Sequence, residues 1–108
     1  MSPRRLSGEA LNLVANRFKI LGEPLRLKLI QSLMDGERNV TELVNATRAN
    51  QANVSRHLAT LTRAGILHRR KEGLNVFYSI ADPSVLELCE LVCNSVERFY
   101  SDQAKVFH

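Results

Sequence analysis

Cys89 and Cys93 are the two cysteines of a 108-residue chain, and they stand four positions apart. On a helix this spacing puts both thiols on one face, with Cβ atoms about 6 Å apart. A disulfide needs Cβ atoms roughly 3.5–4.5 Å apart, so a direct bridge would strain the helix. An ion held by metal–sulfur bonds of about 2.3 Å spans the gap more easily. Two thiolates suit soft ions such as arsenite, antimonite, cadmium, lead or mercury. Persulfide chemistry, which inserts extra sulfur atoms, spans it as well. The competing reading is packing, because free cysteine is among the most buried residue types. Cys89 falls in the stripe of Val85, Val92 and Val96, which favours packing. Both readings stand at this point, and neither needs an obligatory cofactor. His68 and His108 have no partner at ligand spacing.

A second set of residues has the chemistry to read a polyanion. In the stretch 51–64, Val54, Leu58 and Leu61 form an apolar stripe. A period of 3.6 puts Ala52, Asn53, Arg56, Ala59, Thr60 and Arg63 on the opposite face, with Gln51 and Ser55 at its leading edge. Gln and Asn side chains bond adenine, Arg forks onto guanine, and Ser suits a base or a phosphate. Ala52 is small enough for close approach. Asn50 is placed to cap the helix, whose N-terminus attracts phosphate. The exposed face carries no acid, which argues against a plain solvated surface. His57 sits at the flank of the stripe, either as a packed, hydrogen-bonded residue or as a phosphate contact. Arg69, Arg70 and Lys71 are candidates for sequence-independent phosphate contact; the bland alternative is a merely soluble hairpin.

Charge supports this division. Residues 1–47 hold seven Lys/Arg and five Asp/Glu, residues 48–71 six and none, and residues 72–108 two and six. An acid-free central block is the expected footprint of a phosphate-facing surface; the bland alternative is a solvated face that happens to be basic. The net charge is +4, hydrophobic residues make up 44% and charged ones 24%, values of an ordinary globular chain rather than a disordered one. No apolar run approaches the roughly 18 residues that span a bilayer, so no membrane role is expected. The N-terminus lacks a signal core. The expected location is therefore the cytoplasm, where two cysteines stay as free thiols. No catalytic triad order, carboxylate pair, phosphate loop or zinc-protease pattern is present, so an enzyme is not expected.

These residues need elements to position them. Leu11, Val14, Phe18 and Leu21 predict a helix over 8–21, stopped by Gly22. Pro24 opens a second helix with Leu25, Leu29, Ile30 and Leu33 inside, ending near Asp35-Gly36. Thr41 is expected to cap a short third helix with Leu43, Val44 and Ala46 on its inner side. Gly65 ends the fourth helix. Ile66–Lys71 and Val76–Ile80 read as strands joined by Glu72-Gly73-Leu74-Asn75. Asp82-Pro83 opens a last helix over about 83–106, with Val85, Leu88, Cys89, Val92, Val96 and Phe99 apolar.

The expected fold is thus mainly α with a small β-hairpin, in the order helix, helix, helix, helix, strand, strand, helix. It is one domain over 1–108: a helix-turn-helix at about 40–64, a wing at about 66–80, and two terminal helices. Terminal helices with this much unpaired apolar surface predict a homodimer.

The segments LGEPLRLKLI, VSRHLATLTRAGIL and RRKEGLNVFYSI, in this order and spacing, resemble the ArsR/SmtB winged-helix repressors over roughly residues 15–103. The resemblance implies a homodimer that joins through its first and last helices and binds an inverted-repeat operator in double-stranded DNA. It also implies release by a small inducer, often a thiophilic metal or metalloid, sometimes an oxidant or reactive sulfur. A cysteine pair common in the family's third helix is absent, since the stretch here is Thr41-Glu42-Leu43-Val44-Asn45-Ala46. The family's Asp-x-His and His-x-x-Glu set on the last helix is absent too: Asp82-Pro83-Ser84 stands at the first pair, and Ser95 and Arg98 at the later positions. Zinc, nickel and cobalt are thereby disfavoured. Cys89 and Cys93 remain as the inducer site, within one chain or clustered across the dimer axis. A repressor with no thiol inducer is the remaining alternative.

Overall fold

A computed structural model describes residues 3–101. Its elements are α1 (Gly8–Leu21), α2 (Pro24–Ser32), β1 (Arg38–Asn39), α3 (Val40–Thr47), α4 (Gln51–Arg63), β2 (Leu67–Glu72), β3 (Asn75–Ile80) and α5 (Ser84–Phe99). This is the expected winged helix-turn-helix order, with one added strand.

Side-chain caps start most of the helices. Ser7 accepts from the Ala10 amide of α1, and Glu23 from the Arg26 amide at the start of α2, where Pro24 has no N–H that needs an acceptor. The cap of α3 is Asn39 and not the expected Thr41. Asn39 Oδ1 accepts from the Glu42 amide at 2.8 Å while Glu42 Oε1 accepts from the Asn39 amide at 3.0 Å, a reciprocal capping box. The inner face of α3 follows Leu43 and Thr47, four residues apart, in place of the expected Ala46. Ala46 is exposed, and Thr47 is buried with its hydroxyl donating to the Leu43 carbonyl. α2 ends at Ser32, before the expected Asp35-Gly36, because Leu33–Gly36 already turns.

The sheet has the order β1-β3-β2, antiparallel throughout. β1 was not expected, since two residues carry no periodic signal. It exists because Arg38 and Asn39 pair with Tyr78 and Phe77 of β3. In the hairpin, Leu67 faces Ile80 and Glu72 faces Asn75, so the loop tightens to Gly73-Leu74. Gly73 takes φ +60, a conformation that glycine adopts without a Cβ penalty.

The core lies where α2, α3, α4 and the base of the hairpin meet. Leu29, Ile30, Leu33, Leu43, Val54, Leu58, Leu61 and Ile66 are fully buried there. The terminal helices lie largely outside it. Of α1 only Leu21 is buried, and of α5 only Val85. Leu13, Phe18, Leu91 and Phe99 are each more than half exposed. The radius of gyration is 15.7 Å, where a compact chain of this length has about 13 Å. α5 ends at Phe99, short of the expected limit near 106; positions 102–106 lie outside the described residues. No described helix is long and apolar enough to cross a membrane.

Candidate nucleic-acid interface and thiol groove

The turn between α3 and α4 sets the reading helix. Arg48 adopts a left-handed conformation, φ 58 and ψ 22, and its amide donates to the Val44 carbonyl. Asn50 then accepts from the Asn53 amide at 2.8 Å, as expected of the cap. Val54, Leu58 and Leu61 are buried, which turns the opposite face outward. Gln51, Ala52, Ser55 and Arg56 are exposed and Asn53 is half-buried beside them. Asn53 Oδ1 accepts from Arg56 Nη2 at 3.1 Å, so these two candidate readers already hold one another. Thr60 turns its hydroxyl back to the Arg56 carbonyl.

One candidate, His57, is withdrawn from the surface, and Arg63 stands apart from the leading edge. His57 is buried, and its Nδ1 accepts from Arg26 Nε at 2.9 Å. Arg26 also reaches the Ile20 carbonyl at 3.1 Å, and Glu23 lies 3.8 Å from His57 Nε2. Burial pushes the imidazole below its ordinary pKa, against the pull of Glu23, and Arg56 and Arg26 push the same way as burial. His57 is therefore a packed residue tying α2 to α4, not a surface contact. Arg63 lies in a cleft with Leu13, Asn16 and Arg17 of α1, at the far end of α4 from the cap. Its side chain is exposed there.

The wing divides its basic residues. Arg69 and Lys71 are exposed, and among the described residues neither has a carboxylate within 4 Å. Arg70 is different. Its Nε and Nη2 donate to the two oxygens of Glu37 at 3.0 and 2.7 Å, and its Nη1 donates to Glu72. The guanidinium carbon also stands 4.7 Å from the centre of the Phe77 ring. The Arg70 hydrogen bond holds the Glu37 carboxyl below its usual range. The expected free phosphate contact is thus an occupied one. Glu37, Glu23 and Arg26 were missed because their partners lie far off in sequence, or because a single charged residue carries no local signal.

The cysteines lie on α5 at the rim of a groove of about 530 Å³ between α1, α2 and α5. Phe18, Leu21, Ile30, Met34 and Leu86 line it, with Lys28, Gln31 and Glu90 as the polar edge. Cys89 is half-buried and Cys93 exposed, and both are free thiols. Burial pushes the Cys89 thiol up. Among the described residues no third His, Cys, Asp or Glu joins them. The donor set is two sulfurs, which fits a thiophilic ion and not a four-ligand zinc site.

Residues 23–69 match the model of the arsR family of bacterial regulatory proteins. The chain is 34% identical over 95 residues to the HTH-type transcriptional regulator Rv0081 of Mycobacterium tuberculosis, covering 87% of this chain and 83% of that one. The chain belongs to the ArsR family. The crystal structure of Rv0081 superposes with a TM-score of 0.81 at 32% identity, covering 91% of this chain and 99% of that one. A homodimeric winged helix-turn-helix DNA-binding domain from Mycobacterium bovis, described as a possible ArsR-family regulator, gives 0.73 at 32% identity, over 90% and 91%. The antimony-specific transcriptional repressor AntR gives 0.80 at 31% identity, over 94% and 93%. This ArsR-family chain is therefore a DNA-binding winged helix-turn-helix repressor, and its relatives are regulators of transcription rather than enzymes.

Proposed function

We propose that this repressor holds an inverted-repeat operator as a homodimer and lets go when a soft, thiol-binding inducer takes Cys89 and Cys93. The inducers in view are arsenite, antimonite, cadmium and lead. One observation carries the reading: both thiols of the chain sit on one face of α5, at the rim of an apolar groove away from the reading helix. The similarity to an antimony-specific repressor supports the class of ligand. Gln51, Ala52, Asn53, Ser55 and Arg56 would read bases or flanking phosphates, and Arg69 and Lys71 would hold the backbone. An ion that joins two sulfurs of α5 shifts the helix on which dimerisation rests. That shift changes the spacing of two reading heads, which an operator fixes at about one helical turn. Coupling of this kind is typically about 1–3 kcal/mol and is reciprocal, so operator DNA weakens inducer binding equally.

The experiment is a titration of the operator complex with arsenite, antimonite, cadmium, lead, peroxide and a polysulfide. Cys89→Ser and Cys93→Ser are expected to keep the fold and operator binding and to lose release. Normal release of the double variant by the agent that releases the parent chain overturns the thiol reading and leaves cysteines that only pack. A second reading, sensing of oxidant or reactive sulfur, is favoured by the lack of a third donor among the described residues. Release by polysulfide and not by the ions selects it.

A further inference from the structure

Arg70 is the most heavily engaged side chain of the wing. It gives three charge-assisted hydrogen bonds to Glu37 and Glu72 and stacks on Phe77. Glu37 sits in the segment between α2 and β1, 33 residues away, just ahead of the strand and capping box that start α3. The fork of Arg70 on both Glu37 oxygens fixes two directions at once, which a single point charge does not. β1 pairs with β3 over only two residues at the same place, so the backbone alone is a weak hinge between wing and helix-turn-helix.

We propose that Arg70 is the positioning residue of the wing and not one of its DNA contacts. The clasp of Arg70 and Glu37 sets the angle between hairpin and reading helix, and Arg69 and Lys71 are the residues that meet phosphate. Geometry separates the two roles. Arg69 lies opposite Tyr78 and Arg70 opposite Phe77, so successive side chains leave opposite faces of the hairpin. A phosphate reaching Arg70 would have to displace a bidentate carboxylate and bring its own charge beside Glu37 and Glu72.

The inference rests on the reading that the wing touches DNA, and the test separates the two. Operator and random-sequence affinity are measured by fluorescence anisotropy across a salt series for Arg69→Ala, Arg70→Ala, Glu37→Gln and the double Arg70→Ala/Glu37→Gln, with circular dichroism melts as the fold control. Arg69→Ala is expected to weaken both DNAs and flatten the salt slope by about 0.9, one phosphate contact. Glu37→Gln is expected to weaken operator binding by about two- to fivefold, the range of an exposed ion pair, with the slope unchanged. The double variant is expected to lose no more than either single one, the mark of one shared interaction. Tighter binding or an unchanged affinity for Glu37→Gln overturns the positioning role, as does a flattened slope for Arg70→Ala. If Arg69→Ala changes neither affinity nor slope, the wing does not meet phosphate and the inference falls with that reading.

Discussion

Arg26 Nε donates to His57 Nδ1 at 2.9 Å, which joins the second helix to the reading helix through two side chains 31 residues apart. The same guanidinium donates to the Ile20 carbonyl near the end of α1. One arginine thus holds α1, α2 and α4 together.

The contact needs a neutral imidazole, since a protonated one has no lone pair at Nδ1. Burial puts the folded-state pKa of His57 below the ordinary value of about 6.5, with Glu23 opposing and Arg56 and Arg26 adding to the depression. The unfolded chain therefore binds the proton first as pH falls. The stability from this site is complete above about 6.5 and is lost as pH drops through the lower folded-state value. Urea titrations between pH 7.5 and pH 5 are expected to show that loss, and His57→Ala to remove most of it. The same variant costs about 1–3 kcal/mol at pH 7.5, because the half-buried Arg26 donor loses its acceptor and the buried imidazole its packing. A pH profile identical in parent and variant would refute the assignment.

Arg56 is held by Asn53 at 3.1 Å and stands on the exposed face of α4. Arg56→Ala is expected to change the preference among operator variants by about 1–3 kcal/mol at one base pair. Equal weakening on every sequence, scored by competition binding, would make it a phosphate contact only.

The exposed rows of Leu11, Leu13 and Phe18 on α1 and Leu91, Val92 and Phe99 on α5 predict a homodimer. Sedimentation at micromolar concentration should give a dimer for the parent chain. The double substitution Leu13→Glu/Leu91→Glu should give a folded monomer with weakened operator binding. A stable parent monomer would sink the expectation.

The two thiols differ in environment. Cys93 is exposed, while Cys89 is half-buried with its thiol pushed up, so less of it is thiolate near neutral pH. Iodoacetamide labelling followed by mass spectrometry is expected to modify Cys93 first and Cys89 markedly later. Equal rates would show that α5 leaves both thiols open.

Much of this fold is legible in the chain because its signals act within a turn or two. The stripe of Val54, Leu58 and Leu61 placed α4 and its outward face, Asn50 marked where it begins, and Gly73 marked the hairpin. The spacing of Cys89 and Cys93 put both thiols on one face of a helix without any tertiary knowledge. Caps were less secure. Thr41 and Asn39 both bear a suitable oxygen, and only Glu42 at the third position after Asn39 completes the reciprocal pair.

The division between neighbouring basic residues came from packing alone. Arg69, Arg70 and Lys71 look alike in the sequence, yet Arg70 is spent on Glu37, which β1 carries to the wing through two hydrogen-bonded residues. His57 follows the helical period to the edge of the stripe, and only the approach of α2 turns it from a surface candidate into an acceptor for Arg26. Periodicity, turn residues and caps report a residue's own few neighbours along the chain. Which charged side chain is free to meet DNA depends on partners some thirty residues away, and those are brought near only when the helices and the hairpin close on one core.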